Sequence, residues 1–162
     1  NSGCDYLMMC DTDIIPPLSV LNLVDFDKDI ISPVCFTTTG GYINPLVLRR
    51  NEEQQYNVID LDDEAGLVEC DALGTGCVII KREVLADPRW RTTEGAWFKN
   101  EYDNNGKKTE GNDLAFCKRA RAMGYRIFCH TDYFCSHFIE MDLKQVYSNL
   151  IKSNEYIKQV QF

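Results

Sequence analysis

The chain has 162 residues, 44% of them apolar, and a net charge of 17 − 25 = −8. That length and composition suit one ordinary globular domain with a core of its own. The acidic balance speaks against non-specific binding to nucleic acid or to anionic membranes. No apolar stretch reaches the roughly 20 residues of a membrane helix, and no secretory signal is visible.

The chain opens at Asn1, a few residues before a core strand, and reads as cut from something longer. It carries eight cysteines, Cys4, Cys10, Cys35, Cys70, Cys77, Cys117, Cys129 and Cys135. None forms a Cys-x-x-Cys pair, which disfavours a structural zinc site. Most lie inside apolar segments, as small buried hydrophobes in a reducing compartment do, and a cytoplasmic location is expected.

In chain order, the apolar run Tyr6 to Cys10 predicts a strand buried on both faces, as in a parallel sheet. It runs into Asp11-Thr12-Asp13. Pro16 and Pro17 then open an expected helix with Leu18, Leu21 and Val24 on one face. Ile30 to Phe36 predicts a second strand, Thr37 to Gly41 a turn, and Tyr42 to Arg49 an extended segment. Asn51 to Glu64 is polar and acidic, an expected exposed loop. Leu67 to Leu73 and Cys77 to Lys81 predict strands around Gly74-Thr75-Gly76, and Arg82 to Leu85 a short helical turn stopped at Pro88. Thr92 to Glu110 is polar and studded with aromatics, with a tight turn at Asn104-Asn105-Gly106. A helix is expected over 112–123, ended by Gly124. Two short strands follow, Arg126 to His130 and Tyr133 to Phe138, and then an amphipathic helix over 142–160. The whole of 1–162 reads as a single domain.

Several residues could carry chemistry. Residues i and i+2 of an extended segment point the same way, so Asp11 and Asp13 would project together beyond the end of a strand. Two such carboxylates repel unless a cation lies between them. Hard cations such as magnesium or manganese take carboxylate oxygens and keep positions open for substrate phosphates. The plainer alternative is that both aspartates cap the following helix.

Asp113, in the first turn of the 112–123 helix, could accept a proton from a substrate hydroxyl, or could simply cap that helix beside Asn112. His137 closes a short strand and could reach the same sheet edge as a metal ligand; a structural role is the alternative for it and for His130. Gly74-Thr75-Gly76 permits close approach of a ligand or forms a tight bend. Trp90, Trp97, Phe98 and Tyr102 could pack on a sugar or base, or close the core. Lys107, Lys108, Lys118, Arg119, Arg121 and Arg126 form a basic concentration, either a solvated helix face or help for phosphate.

Taken in order, the runs Tyr6 to Asp13, Leu73 to Leu85 and Gly111 to Ala120, with Gly124 and His137, resemble the GT-A glycosyltransferases, specifically inverting family 2. The resemblance implies an α/β, GT-A-like fold, with a mixed, mostly parallel sheet flanked by helices and the N-terminal βα units missing. It implies a transferase moving a sugar from a nucleotide-sugar donor to an acceptor hydroxyl on a glycan, lipid or protein, with inversion. Asp13 would bind the manganese or magnesium ion that bridges the diphosphate. Asp11 would contact the ribose or share the metal, and His137 would complete the site. Asp113 would be the catalytic base. Gly74, Thr75, Gly76, Asn112 and Trp97 would border donor and acceptor. The family has a glutamate where this chain has Asn112. Two other functions compete: a haloacid-dehalogenase-like phosphohydrolase with Asp11 as nucleophile and Asp13 as acid/base, and a non-catalytic domain that binds a glycan or a partner.

Overall fold

A computed structural model describes residues 3–39, 42–92, 97–140, 142, 144, 147 and 148. Its elements, in chain order, begin with β1 (Tyr6–Cys10) and β2 (Ile14–Ile15), then a 3-10 helix (Val20–Phe26) and β3 (Ile30–Val34). Next come β4 (Phe36–Thr39), β5 (Tyr42–Pro45), β6 (Val47–Arg50), β7 (Tyr56–Val58), β8 (Leu67–Cys70), β9 (Ala72–Leu73) and β10 (Cys77–Lys81). There follow α1 (Arg82–Ala86), a second 3-10 helix (Pro88–Thr92), β11 (Glu101–Tyr102), β12 (Lys108–Glu110), α2 (Asn112–Ala122), β13 (Ile127–Phe134) and β14 (Ser136–His137).

The main sheet has five strands in the order β1-β10-β3-β13-β8. Only β3 and β13 run parallel; β1/β10, β10/β3 and β13/β8 are antiparallel. The remaining strands make small antiparallel sheets, β11-β12, β14-β2, β4-β5 and β7-β6-β9. This corrects the expected architecture: among the described residues there is no mostly parallel sheet flanked by helices. The misreading starts at β1. Its apolar run suggested a strand buried on both faces, yet it is an edge strand of the sheet, hydrogen-bonded to β10, with Leu7 45% exposed. It is apolar because its residues divide between two cores. Tyr6 and Met8 pack on one, and Met9 on the other.

Those cores lie on opposite faces of the sheet, and the alternation of side chains along each strand separates them. Ile30, Val78, Ile80 and Ile127 join Phe116, Cys117 and Ala120 of α2 and Val47, Leu48 and Leu73 of the β6–β9 ribbon. Phe116 is sandwiched there, its ring 5.4 Å from that of Trp90 and 4.4 Å from that of Phe98. Ile31, Ile79 and Phe128 face the other way, onto Val20 and Leu23 of the first 3-10 helix. Each such side chain contributes about 1.5–3 kcal/mol on full burial. The middle strand β3 is buried at every position, so its Ile30-Ile31 pair serves both cores. Pro33, which has no N–H for a ladder, lies beyond Ile31, where pairing with β10 stops.

Several local expectations correspond to observed elements, among them β10, α1 and the turn at Gly106 between β11 and β12. Gly124 ends α2 with φ of +93°, the left-handed conformation expected past a helix. The segment after the two prolines is different. It is a 3-10 helix that buries Val20 and Leu23 and leaves Leu18 and Leu21 in solvent. The 51–64 segment contains β7. Of the amphipathic 142–160 stretch, positions 144, 147 and 148 are helical, and the rest lies outside the described residues apart from 142. No described helix is long and apolar enough to cross a membrane.

Candidate active site

One end of the main sheet gathers the expected acids. There β1, β3 and β13 end and β10 begins. Asp11 leaves β1 with its N–H donating to the Gly76 carbonyl at 2.7 Å, so the acidic turn and the glycine loop are held side by side. A Cβ placed on Gly76 would lie 3.4 Å from Asp11 Oδ2 and 3.3 Å from Ile14, which leaves little room for a side chain. At Gly74 a Cβ would come within 2.8 Å of the Leu46 side chain, so a larger residue there would require Leu46 to shift. Thr75, between them, is buried, and its hydroxyl donates to Asp113 Oδ1 at 2.6 Å. The Gly74–Gly76 loop thus connects the acidic turn to the start of α2.

For Asp11 and Asp13 the capping alternative fails on geometry. The first 3-10 helix starts at Val20 with Ser19 ahead of it, well past Asp13. The residue preceding α2 is Gly111, no side chain caps that helix, and Asn112 is its first, exposed residue. Asp113 follows in the first turn, its carboxylate turned to Thr75.

His137 arrives from the opposite direction. The β14/β2 ribbon pairs it with Ile14, and the Phe138 N–H donates to the Asp13 carbonyl at 2.9 Å. Its Nδ1 lies 2.7 Å from the Phe36 carbonyl and its Nε2 lies 3.3 Å from Asp13 Oδ2. A carbonyl only accepts, so Nδ1 carries a proton. In neutral imidazole, Nε2 then turns a lone pair toward a carboxylate oxygen, and the contact needs a proton or a cation to hold it. Neighbouring ligands of an octahedral magnesium or manganese ion are about 3 Å apart when each bond is about 2.1 Å. The observed pair fits that spacing and that donor chemistry. Both side chains reach solvent, Asp13 at 52% and His137 at 27% exposure.

Asp11 belongs to the same electrostatic unit. Partial burial raises its carboxyl above the usual range, and the charges of Asp13 and Asp113 raise it further, while His137 opposes them. The three expected metal residues do not form a closed cage. Among the described residues no group of three or more His, Cys, Asp or Glu is arranged to hold a metal. A pair of protein donors is what remains, and this is the number typical of sites where substrate phosphates complete the shell.

Other candidates are placed elsewhere. The Trp97 indole donates to the Leu85 carbonyl at 3.1 Å, beside α1 and at the far end of β10 from Gly76. His130 is buried with its ring against Phe26 and Tyr133. Much of the basic concentration is committed to ion pairs: Lys118 with Glu101 and Glu110, Arg121 with Asp71, and Arg126 with Glu69. Two features of the site escaped the sequence reading. The Phe36 carbonyl orients His137, and a backbone acceptor leaves no trace in residue identity. Thr75, singled out as a residue bordering the ligand, also donates to Asp113, a partner its place in the sequence does not show.

No family model matches the chain. No curated protein matches it either. Solved structures do. One is the crystal structure of A197 from STIV, with a TM-score of 0.52 at 20% identity, covering 84% of this chain and 59% of that one. At that identity the likeness is one of fold, and the chain spans 59% of the length of that neighbour. Membership of the family 2 glycosyltransferases, expected from short motifs, is thereby overturned. Short motifs of common residues recur without common descent when no profile over the whole chain supports them.

Proposed function

We propose that this domain transfers a glycosyl group from a nucleotide-sugar to an acceptor hydroxyl with the help of a divalent cation. One observation carries the proposal: a solvent-open Asp13–His137 donor pair stands at the same sheet end as Asp113, a carboxylate held by Thr75. That arrangement offers a diphosphate-binding cation on one side and a proton acceptor on the other. Asp13 and His137 would hold the cation, manganese or magnesium, which when bound would offset charge developing on a departing diphosphate.

The chain's own residues do the rest. The Phe36 carbonyl keeps Nε2 of His137 turned toward Asp13. Thr75 keeps one oxygen of Asp113 occupied and aims the carboxylate. The other oxygen of Asp113 takes the proton of the acceptor hydroxyl as that oxygen attacks the anomeric carbon. Asp11 adds negative charge near the ribose or the cation. A glycan, lipid or protein could supply the hydroxyl. The eight free thiols suit a reducing compartment such as the cytoplasm.

The test uses manganese with a panel of nucleoside diphosphates and nucleotide-sugars. Calorimetry is expected to show nucleoside diphosphate binding that depends on manganese and is lost in Asp13→Ala. Asp113→Asn is expected to keep that binding and to lose about 10²–10⁴-fold in turnover. Full turnover in Asp113→Asn removes the base from the mechanism. A phosphoryl group trapped on Asp11 would establish the phosphohydrolase in place of the transferase.

A further inference from the structure

Four cysteines, scattered in sequence, come together at the same end of the sheet as the acids. Cys10 ends β1 directly opposite Cys77, the first residue of β10. The next pair along, Asp11 and Gly76, is joined through the Asp11 N–H. Cys10 and Cys77 are therefore a non-hydrogen-bonded pair, the kind whose facing side chains stand closest. Such a pair has Cα atoms about 4.5 Å apart, within the span of a disulfide. Cys135 donates its N–H to the Val34 carbonyl at 2.9 Å, which sets it beside Cys35, and its thiol lies against those of Cys35 and Cys77. Cys35, Cys77 and Cys135 are buried in one core, whereas Cys10 is exposed, and all four are free thiols.

We propose that Cys10 and Cys77 form a reversible disulfide that fastens the acidic turn to the glycine loop. Burial pushes the Cys77 thiol well up and leaves it a poor first nucleophile, so exposed Cys10 is the entry point. The Cys10 thiolate attacks a low-molecular-weight disulfide such as oxidised glutathione. The S–S bond of that molecule breaks, one glutathione leaves as a thiolate and takes up the proton that Cys10 lost, and a mixed disulfide remains on Cys10. Cys77 then attacks the Cys10 sulfur. The second glutathione leaves and takes up the Cys77 proton. Two protein thiols are oxidised and one glutathione disulfide is reduced to two thiols. Asp11 follows Cys10 directly and Gly76 precedes Cys77 directly, so the bond pins two walls of the candidate site. The inference does not depend on sugar transfer.

Treatment of the full chain with oxidised glutathione, followed by non-reducing peptide mapping, tests it. The expected product is a Cys10–Cys77 cross-linked peptide, lighter by two hydrogens than the separate thiols and reopened by reductant. Cys10→Ser, a change at an exposed position, is expected to abolish the cross-link while the circular dichroism spectrum is unchanged. A glutathione adduct that persists on Cys10 beside a free Cys77 overturns the proposal. A cross-link confined to Cys35 and Cys135, or the absence of any reaction at Cys10, overturns it as well.

Discussion

Thr75 is buried and spends its hydroxyl proton on Asp113. A hydrogen bond to a charged group contributes about 1.5–3 kcal/mol. Thr75→Val keeps the shape of the side chain and removes the donor. It is expected to lower kcat by roughly 10-fold or more while KM changes little, because the base is misaimed and the donor pocket is untouched. Thr75→Ser restores the donor and is expected to recover most of the rate, an outcome a purely structural role would not produce. Asp11 leads to a second prediction at this scale. Its carboxyl is raised, first by burial and then by Asp13 and Asp113, so the folded state binds its proton more tightly than the unfolded chain does. Stability therefore falls as pH rises from the unfolded value of a carboxyl through the raised folded value. Asp11→Asn is expected to raise Tm at neutral pH, and the gain is expected to shrink as pH falls to the carboxylate range. Thermal melts across pH check this; the gain is small, because Asp11 is largely exposed and solvent screens its charge.

Elements show where local pattern misleads. Leu18 and Leu21 fit a helical stripe with Val24, yet in the three-residue turns of the 3-10 helix it is the column of Val20 and Leu23 that faces the core. Leu23→Ala is expected to cost about 2–5 kcal/mol in denaturant unfolding, since a fully buried side chain leaves a cavity. Leu18→Ser, at a fully exposed position, is expected to stay within about 0.5 kcal/mol of the parent. The β14/β2 ribbon has two residues on each strand, and it is what brings His137 to Asp13. Elements that short have no periodicity to read, so the approach of histidine and aspartate across more than 120 positions was expected through the family resemblance, and the ribbon that produces it was not legible. By contrast α2, with its apolar face and the glycine after it, is long enough for its pattern to declare it.

At the scale of the molecule, two cores share one mixed sheet, and β3, β10 and β13 lie between them. Hydrogen exchange is expected to be slowest for amides of these three strands and faster by orders of magnitude in the β14/β2 and β4/β5 ribbons, which have little apolar cover. Uniform protection throughout would mean that the ribbons unfold only with the sheet.

By itself the sequence determined the local features: the strand Tyr6 to Cys10, the Asp11-Thr12-Asp13 turn, the bend at Gly74 to Gly76, the helix carrying Asp113, and the glycine that ends it. Each is encoded in a window of a few residues by apolar spacing and turn chemistry. Only the tertiary structure decided that β1 is an edge strand running antiparallel to β10, that Trp97 turns to α1, and that Asp13 meets His137 while Thr75 meets Asp113. Strand direction and side-chain convergence are set by contacts between segments far apart in the chain, and an apolar run looks the same whether its neighbour runs with it or against it.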